Sequence, residues 1–312
     1  MQETTETRPL ARKGRQSSLS DTILDAIRRR PGLGRFLLLF PAVFVMGLFM
    51  VIAVGGLFVF SFMKNNATTM TMQAVWNVDN WRQFFTQATN LHTLVFTVRE
   101  TVIVLVICLL VSYPIAYFTA RMVKDTRIQI AILLLTIIPF WTSYTVRMTA
   151  WLPILGESGL INSALVGLGI LDKPSQLFIY TEGAQVFVMV LTYALFCVAP
   201  IYFSISQVSQ DLLDAAADLG ANGWRTFVRV ILPLSVPGMV IGSIFVSALV
   251  MGEFATAKII GGNQHPLLGN NLVAQAQLLQ FPQASVTSAV LVVTALVFVF
   301  IVTRFVKIRA QL

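Results

Sequence analysis

Six long apolar runs decide what this chain can become. A helix needs about 20 apolar residues to cross a bilayer, and the runs at residues 36–62, 100–120, 128–147, 184–206, 234–257 and 286–304 meet that length. A helix pairs its own backbone groups, so each run can sit in hydrocarbon as a transmembrane helix. Of the 312 residues, 56% are hydrophobic and 12% charged, whereas soluble domains carry about 25% charged residues. The expected fold class is an all-α membrane protein with six transmembrane helices.

An even number of spans puts both termini on one side. Sixteen of the 22 lysines and arginines then fall on the terminus side and six on the other. The positive-inside bias therefore predicts cytoplasmic N- and C-termini and a cytoplasmic segment 207–233. Residues 1–35 read as a basic cytoplasmic tail: 1–18 lack apolar periodicity, while Ile23, Leu24 and Ile27 ahead of Arg28, Arg29 and Arg30 suit a short helix on membrane lipid. The first run is too long for a signal core and no clear small-residue cleavage site follows it, so it reads as an uncleaved span. On the outward side, Trp76, Trp81, Phe84 and Phe85 suit an interfacial helix. Residues 151–183, with Gly156, Gly159, Gly167, Gly169 and Pro174 and moderate hydrophobicity, suit short helices broken by turns.

The one long polar stretch between spans, residues 211–233, has its own design. Asp211 can cap a helix and Asp214 can reach back as the acidic half of a capping box. Leu212, Leu213, Ala216 and Leu219 recur at helical spacing, and Ala215, Ala216 and Ala217 leave a thin surface that another backbone can approach. Gly220 ends the helix. Asn222 and Gly223 make a turn, a second helical stretch covers residues 224–230, and Pro233 is expected to stop it.

The order Asp214-Ala215-Ala216, Gly220, Val230, Leu232-Pro233 resembles the EAA loop of permease subunits in ABC-type importers. Aspartate stands at 214 where that family has glutamate, and valine at 230 where it has isoleucine. The resemblance implies the type I ABC importer permease architecture, with Asp211, Asp214, Ala215, Ala216, Gly220, Val230, Leu232 and Pro233 on a coupling helix seated in an ATPase. It also implies two ATPase subunits, a second homologous permease and an extracytoplasmic solute-binding protein as partners, in a bacterial inner membrane. ATP and Mg would belong to the ATPase, with no cofactor in this chain. The runs around Ser112-Tyr113-Pro114, Pro139-Phe140-Trp141-Thr142-Ser143 to Arg147 and Trp151, and Gly159-Leu160-Ile161-Asn162 are similar to the spermidine/putrescine branch. Related branches carry opines, aminophosphonates, thiamine or ferric ions.

Other classes lack their signatures. No G-x-x-x-x-G-K-[ST] loop is present, so ATP hydrolysis is expected on a partner and the chain is not expected to be an enzyme. The basic residues are not gathered with exposed aromatics, which argues against nucleic acid. His92 and His265 are too far apart to suggest a metal site, and Cys108 and Cys197 fall inside apolar runs as small filler.

Polar side chains within spans usually face a bundle interior or a wet path. Glu253, in the outer half of the fifth run, with Trp141, Ser143, Tyr144 and Arg147 at the end of the third, forms the expected path for a cationic or amine-bearing solute. The competing expectation pairs Glu253 with Arg147, Lys258 or Arg99 in a structural ion pair. Pro114 and Pro200 are expected to kink the second and fourth spans, while Gly238, Gly242 and Ser243 offer a small-residue contact face. The rival function is a secondary transporter driven by an ion gradient, which calls for coupling carboxylates or broken helices at mid-membrane.

Overall fold

A computed structural model describes the backbone of residues 31–66 and 71–309, and the side chains of 39–65 and 71–304. The tail at 1–18 and the short helix at 20–30 lie outside the described residues. The chain divides into two units, Met1–Gly56 and Leu57–Leu312.

The first unit carries most of helix α1, Pro31–Ser61. Its large apolar side chains from Leu39 to Ile52 are exposed on every face, which suits lipid rather than water. Phe40 and Phe44, one turn apart, stack at 5.5 Å.

The second unit opens with a feature absent from the sequence expectations, a hairpin of β1, Lys64–Asn66, and β2, Thr71–Gln73, paired antiparallel with Lys64 opposite Gln73. Its strands, Lys-Asn-Asn and Thr-Met-Gln, lack the apolar alternation that would announce them. Helix α2, Asp79–Thr86, follows. Asn80 Nδ2 donates to the carbonyls of Ser61 (3.1 Å) and Met63 (2.8 Å), and Trp81 Nε1 to Ser61 Oγ (3.0 Å).

Helix α3, Ala88–Arg121, is 34 residues long and begins well before the apolar run at residue 100. Thr93, Thr97 and Thr101 return their hydroxyls to carbonyls one turn back, so polar residues can extend the helix. Pro114 lies inside this helix without interrupting it. The third run is not straight. Helix α4, Thr126–Ile137, tightens into a 3-10 turn, Ile138–Trp141, and the chain then bends by 96° into the pieces α5 (Tyr144–Thr149), α6 (Leu152–Leu155) and α7 (Leu160–Gly167). Pro139 opens the turn and Thr142 and Ser143 are extended, which breaks the ladder. Asn162, fully buried, ties the loop by donating to the carbonyls of Gly156 and Ser175 (both 3.0 Å).

The fourth run is α8, Glu182–Tyr193, and α9, Leu195–Ser206, joined with a 44° bend. The bend lies at Ala194 rather than at Pro200. Ser112 Oγ donates to the Ala194 carbonyl at 2.7 Å, and a hydroxyl inserted into the helical ladder is a recognised cause of bending. Next come α10, Gln210–Asp218, and α11, Gly223–Thr226, then a π-helical turn, Phe227–Ile231, leading directly into α12, Leu232–Met251. Pro233 therefore stops nothing. The widened turn, in which Leu232 N–H reaches Phe227 O, absorbs a residue that lacks its own N–H, and the helix runs unbroken over Gly223–Met251. Helices α13 (Ala255–Ile259), α14 (Leu268–Gln277) and α15 (Phe281–Arg309) complete the chain.

Four of these helices are long and apolar enough to cross a membrane, and the two bent pairs raise the number to six if each is one span. The core lies where α3, α8–α9 and α12 meet, around Val104, Cys108, Met189, Cys197, Ile201, Val246 and Val250. Both cysteines are free and buried there. Close approach of α12 to α9 depends on glycine. A Cβ on Gly238 would lie 2.3 Å from Pro200 O, and one on Gly242 would lie 3.0 Å from Cys197 Sγ.

Candidate functional site

Two features hold the residues singled out in the sequence. The first is the segment between α9 and α12. Its helix α10 begins at Gln210 with Ser209 at the N-cap, and no side chain caps it. This corrects the capping box expected from Asp211 and Asp214. Asp211 lies in the first turn, where its charge complements the helix dipole, and Asp214 Oδ1 instead accepts from Gln210 Nε2 at 3.0 Å.

At the other end Gly220 takes φ +79°. Ala221 N–H reaches Ala216 O (3.0 Å) and Gly220 N–H reaches Ala217 O (2.8 Å), the paired bonds of a Schellman closure. Asn222 Oδ1 then accepts from Arg225 N–H at 2.9 Å and starts α11. The outcome is an exposed apolar knuckle, with Leu219 at 89% and Trp224 at 71% exposure beside exposed Ala215 and half-buried Ala216.

The knuckle is tied to the bundle at two points. Phe227 meets both Tyr113 (5.7 Å) and Tyr117 (5.6 Å) of α3 edge-on. Arg121, at the end of α3, donates to the carbonyls of Ile205 (3.0 Å) and Val208 (2.8 Å), just ahead of α10. A cation at those last carbonyls also complements the C-terminal dipole of α9. Val230 and Leu232 lie half-buried along the π turn and its continuation, and Pro233 is exposed.

The second feature is Glu253. It lies in a break between α12 and α13, not within a span. Gly252 closes α12, and Glu253 Oε1 accepts from Thr256 N–H at 2.8 Å, so the carboxylate caps the short helix that follows. Its other oxygen, Oε2, accepts from the hydroxyls of Tyr144 and Tyr193. The Tyr144 hydroxyl lies 3.0 Å from Thr256 Oγ1. Glu253 is only 3% exposed, and three donors from α5, α8 and α13 offset its loss of water. The start of α14 seals the break from behind, because a Cβ on Gly269 would lie 2.5 Å from Glu253 O.

In front of the carboxylate is a cavity of about 330 Å³ walled by Phe140, Tyr144, Arg147, Tyr193, Phe196 and Phe254. The Arg147 guanidinium lies over the Phe140 ring at 5.0 Å and near the Tyr144 ring at 6.0 Å. None of the expected ion pairs to Glu253 forms. Arg99 pairs with Glu182, the single ion pair among the described residues, and Lys258 is exposed.

Of the five residues expected along a path, the cavity brings together Tyr144, Arg147 and Glu253. Trp141, 86% exposed, and Ser143 do not line it, because the 96° bend turns them away. Tyr193 and Phe196 were missed. A tyrosine inside an apolar run carries a hydroxyl that needs a partner, and that was the available signal for Tyr193.

Residues 112–311 match the family of binding-protein-dependent transport system inner membrane components. The chain belongs to that family. It is a permease subunit of an ABC importer, an inner-membrane transport subunit and not an enzyme, and such a subunit works with an ATPase and a solute-binding protein. Among its relatives is the spermidine/putrescine transport system permease protein PotB of Salmonella typhimurium (strain LT2), 31% identical over 223 residues, which are 71% of this chain and 76% of the relative. The Haemophilus influenzae protein of the same name is 34% identical over 200 residues, 64% of this chain and 69% of the relative. The fold is similar to that of a chain in the crystal structure of a bacterial ABC transporter that imports the acidic polysaccharide alginate. The TM-score is 0.68 at 16% identity, covering 92% of this chain and 98% of that one.

Proposed function

We propose that this permease carries a polyamine or a closely related amine-bearing solute inward through the Glu253 cavity. The observation that carries the reading is a buried carboxylate opening onto a chamber of aromatic rings, since carboxylates and ring faces both attract ammonium groups. Spermidine/putrescine permeases at 31% and 34% identity point to the same solutes. Two ATPase subunits and a second permease complete the assembly, with the termini and residues 207–233 in the cytoplasm. ATP-driven closure of the ATPases draws the knuckle at Leu219 and Trp224 inward, and the motion opens the cavity to the binding protein. Exposure of that knuckle, and its ties to α3 through Phe227 and Arg121, support the coupling role.

The test is uptake of labelled putrescine by proteoliposomes holding the complete complex, its binding protein and internal ATP. Uptake should need ATP, survive collapse of ion gradients, and fall by about tenfold or more in Glu253→Gln. Full uptake by assembled Glu253→Gln complex removes the cavity from the path, and uptake that follows an ion gradient without ATP returns the chain to the secondary-transporter reading.

A further inference from the structure

A second cavity, of about 260 Å³, lies between α2, the start of α3, the end of α14 and the start of α15. Seven of its ten lining residues are asparagine or glutamine, and none is ionisable. Helix α3 fixes its location. Its last residue, Arg121, holds the chain just ahead of the knuckle, while Gln87 and Asn90 at its first turn line this cavity. At 1.5 Å per residue the two ends lie about 50 Å apart, so the cavity opens at the end of the fold opposite the ATPase.

The amides are only partly used. Asn80 Nδ2 holds the Ser61 and Met63 carbonyls, Gln87 Oε1 takes Asn90 Nδ2, and Gln275 Oε1 takes Thr287 Oγ1. Gln83 and Gln280 make no side-chain hydrogen bond among the described residues, and Gln283 Oε1 is buried with no partner. The chamber therefore presents unspent donors and acceptors of both kinds on a floor of Phe84 and Val286. Gln83 is exposed and Gln280 half-buried, so an incoming partner would replace water at these amides and pair the buried Gln283 Oε1.

Charge decides the class of occupant. An ammonium-bearing or anionic solute would leave water for a chamber that offers no opposite charge, whereas a peptide group brings one donor and one acceptor, each matched by an amide. We propose that this chamber is where a loop of the extracytoplasmic binding protein docks, through its backbone and uncharged polar side chains. The proposal rests on the importer assembly put forward above.

The experiment measures ATPase activity of the reconstituted complex against the concentration of its purified, solute-loaded binding protein, for wild type and for Gln83→Ala combined with Gln280→Ala. Those two side chains make no hydrogen bond among the described residues, so their loss leaves the fold intact. The half-saturating concentration of binding protein should rise by about tenfold, the effect of losing two hydrogen-bonding groups, with basal ATPase unchanged. A photo-crosslinking residue placed at Gln280 should capture the purified binding protein. An unchanged half-saturation overturns the docking site. So does an unchanged half-saturation joined to a raised KM for solute, which makes the chamber a solute subsite. If the wild-type complex itself shows no stimulation by the binding protein, it is the importer assembly that fails, and the docking site falls with it.

Discussion

Ser112 in the second span donates its hydroxyl to the carbonyl of Ala194 at 2.7 Å, at the bend of the fourth. Each residue has a functional neighbour. Tyr193, before Ala194, holds Glu253, and Tyr113, after Ser112, packs on Phe227 beside the knuckle. A continuous set of contacts thus runs from the knuckle at Leu219 and Trp224 to the cavity. Ser112→Ala should cost about 1 kcal/mol of stability, since Ala194 O keeps its bond from Cys197 N–H. If the contact transmits motion, the variant should also import less solute per ATP hydrolysed. Equal ratios in wild type and variant reduce Ser112 to a packing role.

The contact of α9 with α12 makes a sharper prediction. A methyl group on Gly238 would meet Pro200 O at 2.3 Å, Ser204 Cβ at 2.7 Å and Ile201 Cα at 2.9 Å. Two of those three atoms are backbone, so the helices must separate. Gly238→Ala should destabilise the protein by about 1–3 kcal/mol, read as a lower midpoint of thermal unfolding in detergent. Gly47→Ala, where an added Cβ meets nothing within 4 Å, is the matching control.

These contacts show where sequence reasoning succeeds and where it stops. Membrane helices were legible because span length is set by the bilayer, and so was the turn at Gly220, because its chemistry is local. The bend at Ala194 was not legible, since it answers to Ser112, 82 residues away. Pro233 misled for a similar reason: a π turn lets a helix continue through a residue that would otherwise end it. Glu253 read as part of a span because the apolar run continues past it to residue 257, yet Gly252 and the carboxylate's own capping bond break the helix there. Trp141 and Ser143 are sequence neighbours of Tyr144, and only the 96° turn separates their surroundings from its own.

Gly220 tests the proposed coupling role of the segment between α9 and α12 through backbone conformation alone. No atom lies within 4 Å of a Cβ added there, so bulk is not the obstacle, but φ is +79°. Valine in the left-handed region costs about 1–2 kcal/mol or more, whereas asparagine tolerates it. Gly220→Val should insert in the membrane yet lose transport through misplacement of Leu219 and Trp224. Gly220→Asn should retain most uptake. Normal uptake by the valine variant would count heavily against a force-bearing role for this turn.

Glu100 poses the opposite problem to Glu253. It lies fully buried on α3, and neither carboxylate oxygen has a hydrogen-bond partner among the described residues. A buried polar group without partners costs stability, and exchanging it for an apolar residue of similar volume is often neutral or stabilising. Glu100→Met should therefore leave the thermal midpoint in detergent unchanged or raise it, and unfolding of the purified protein checks this directly. A marked fall would mean that the carboxyl is held by a bound water or ion and that Glu100, like Glu253, belongs to a polar site inside the bundle. The two glutamates then separate by experiment: loss of transport with stability intact defines Glu253, and retained or increased stability defines Glu100.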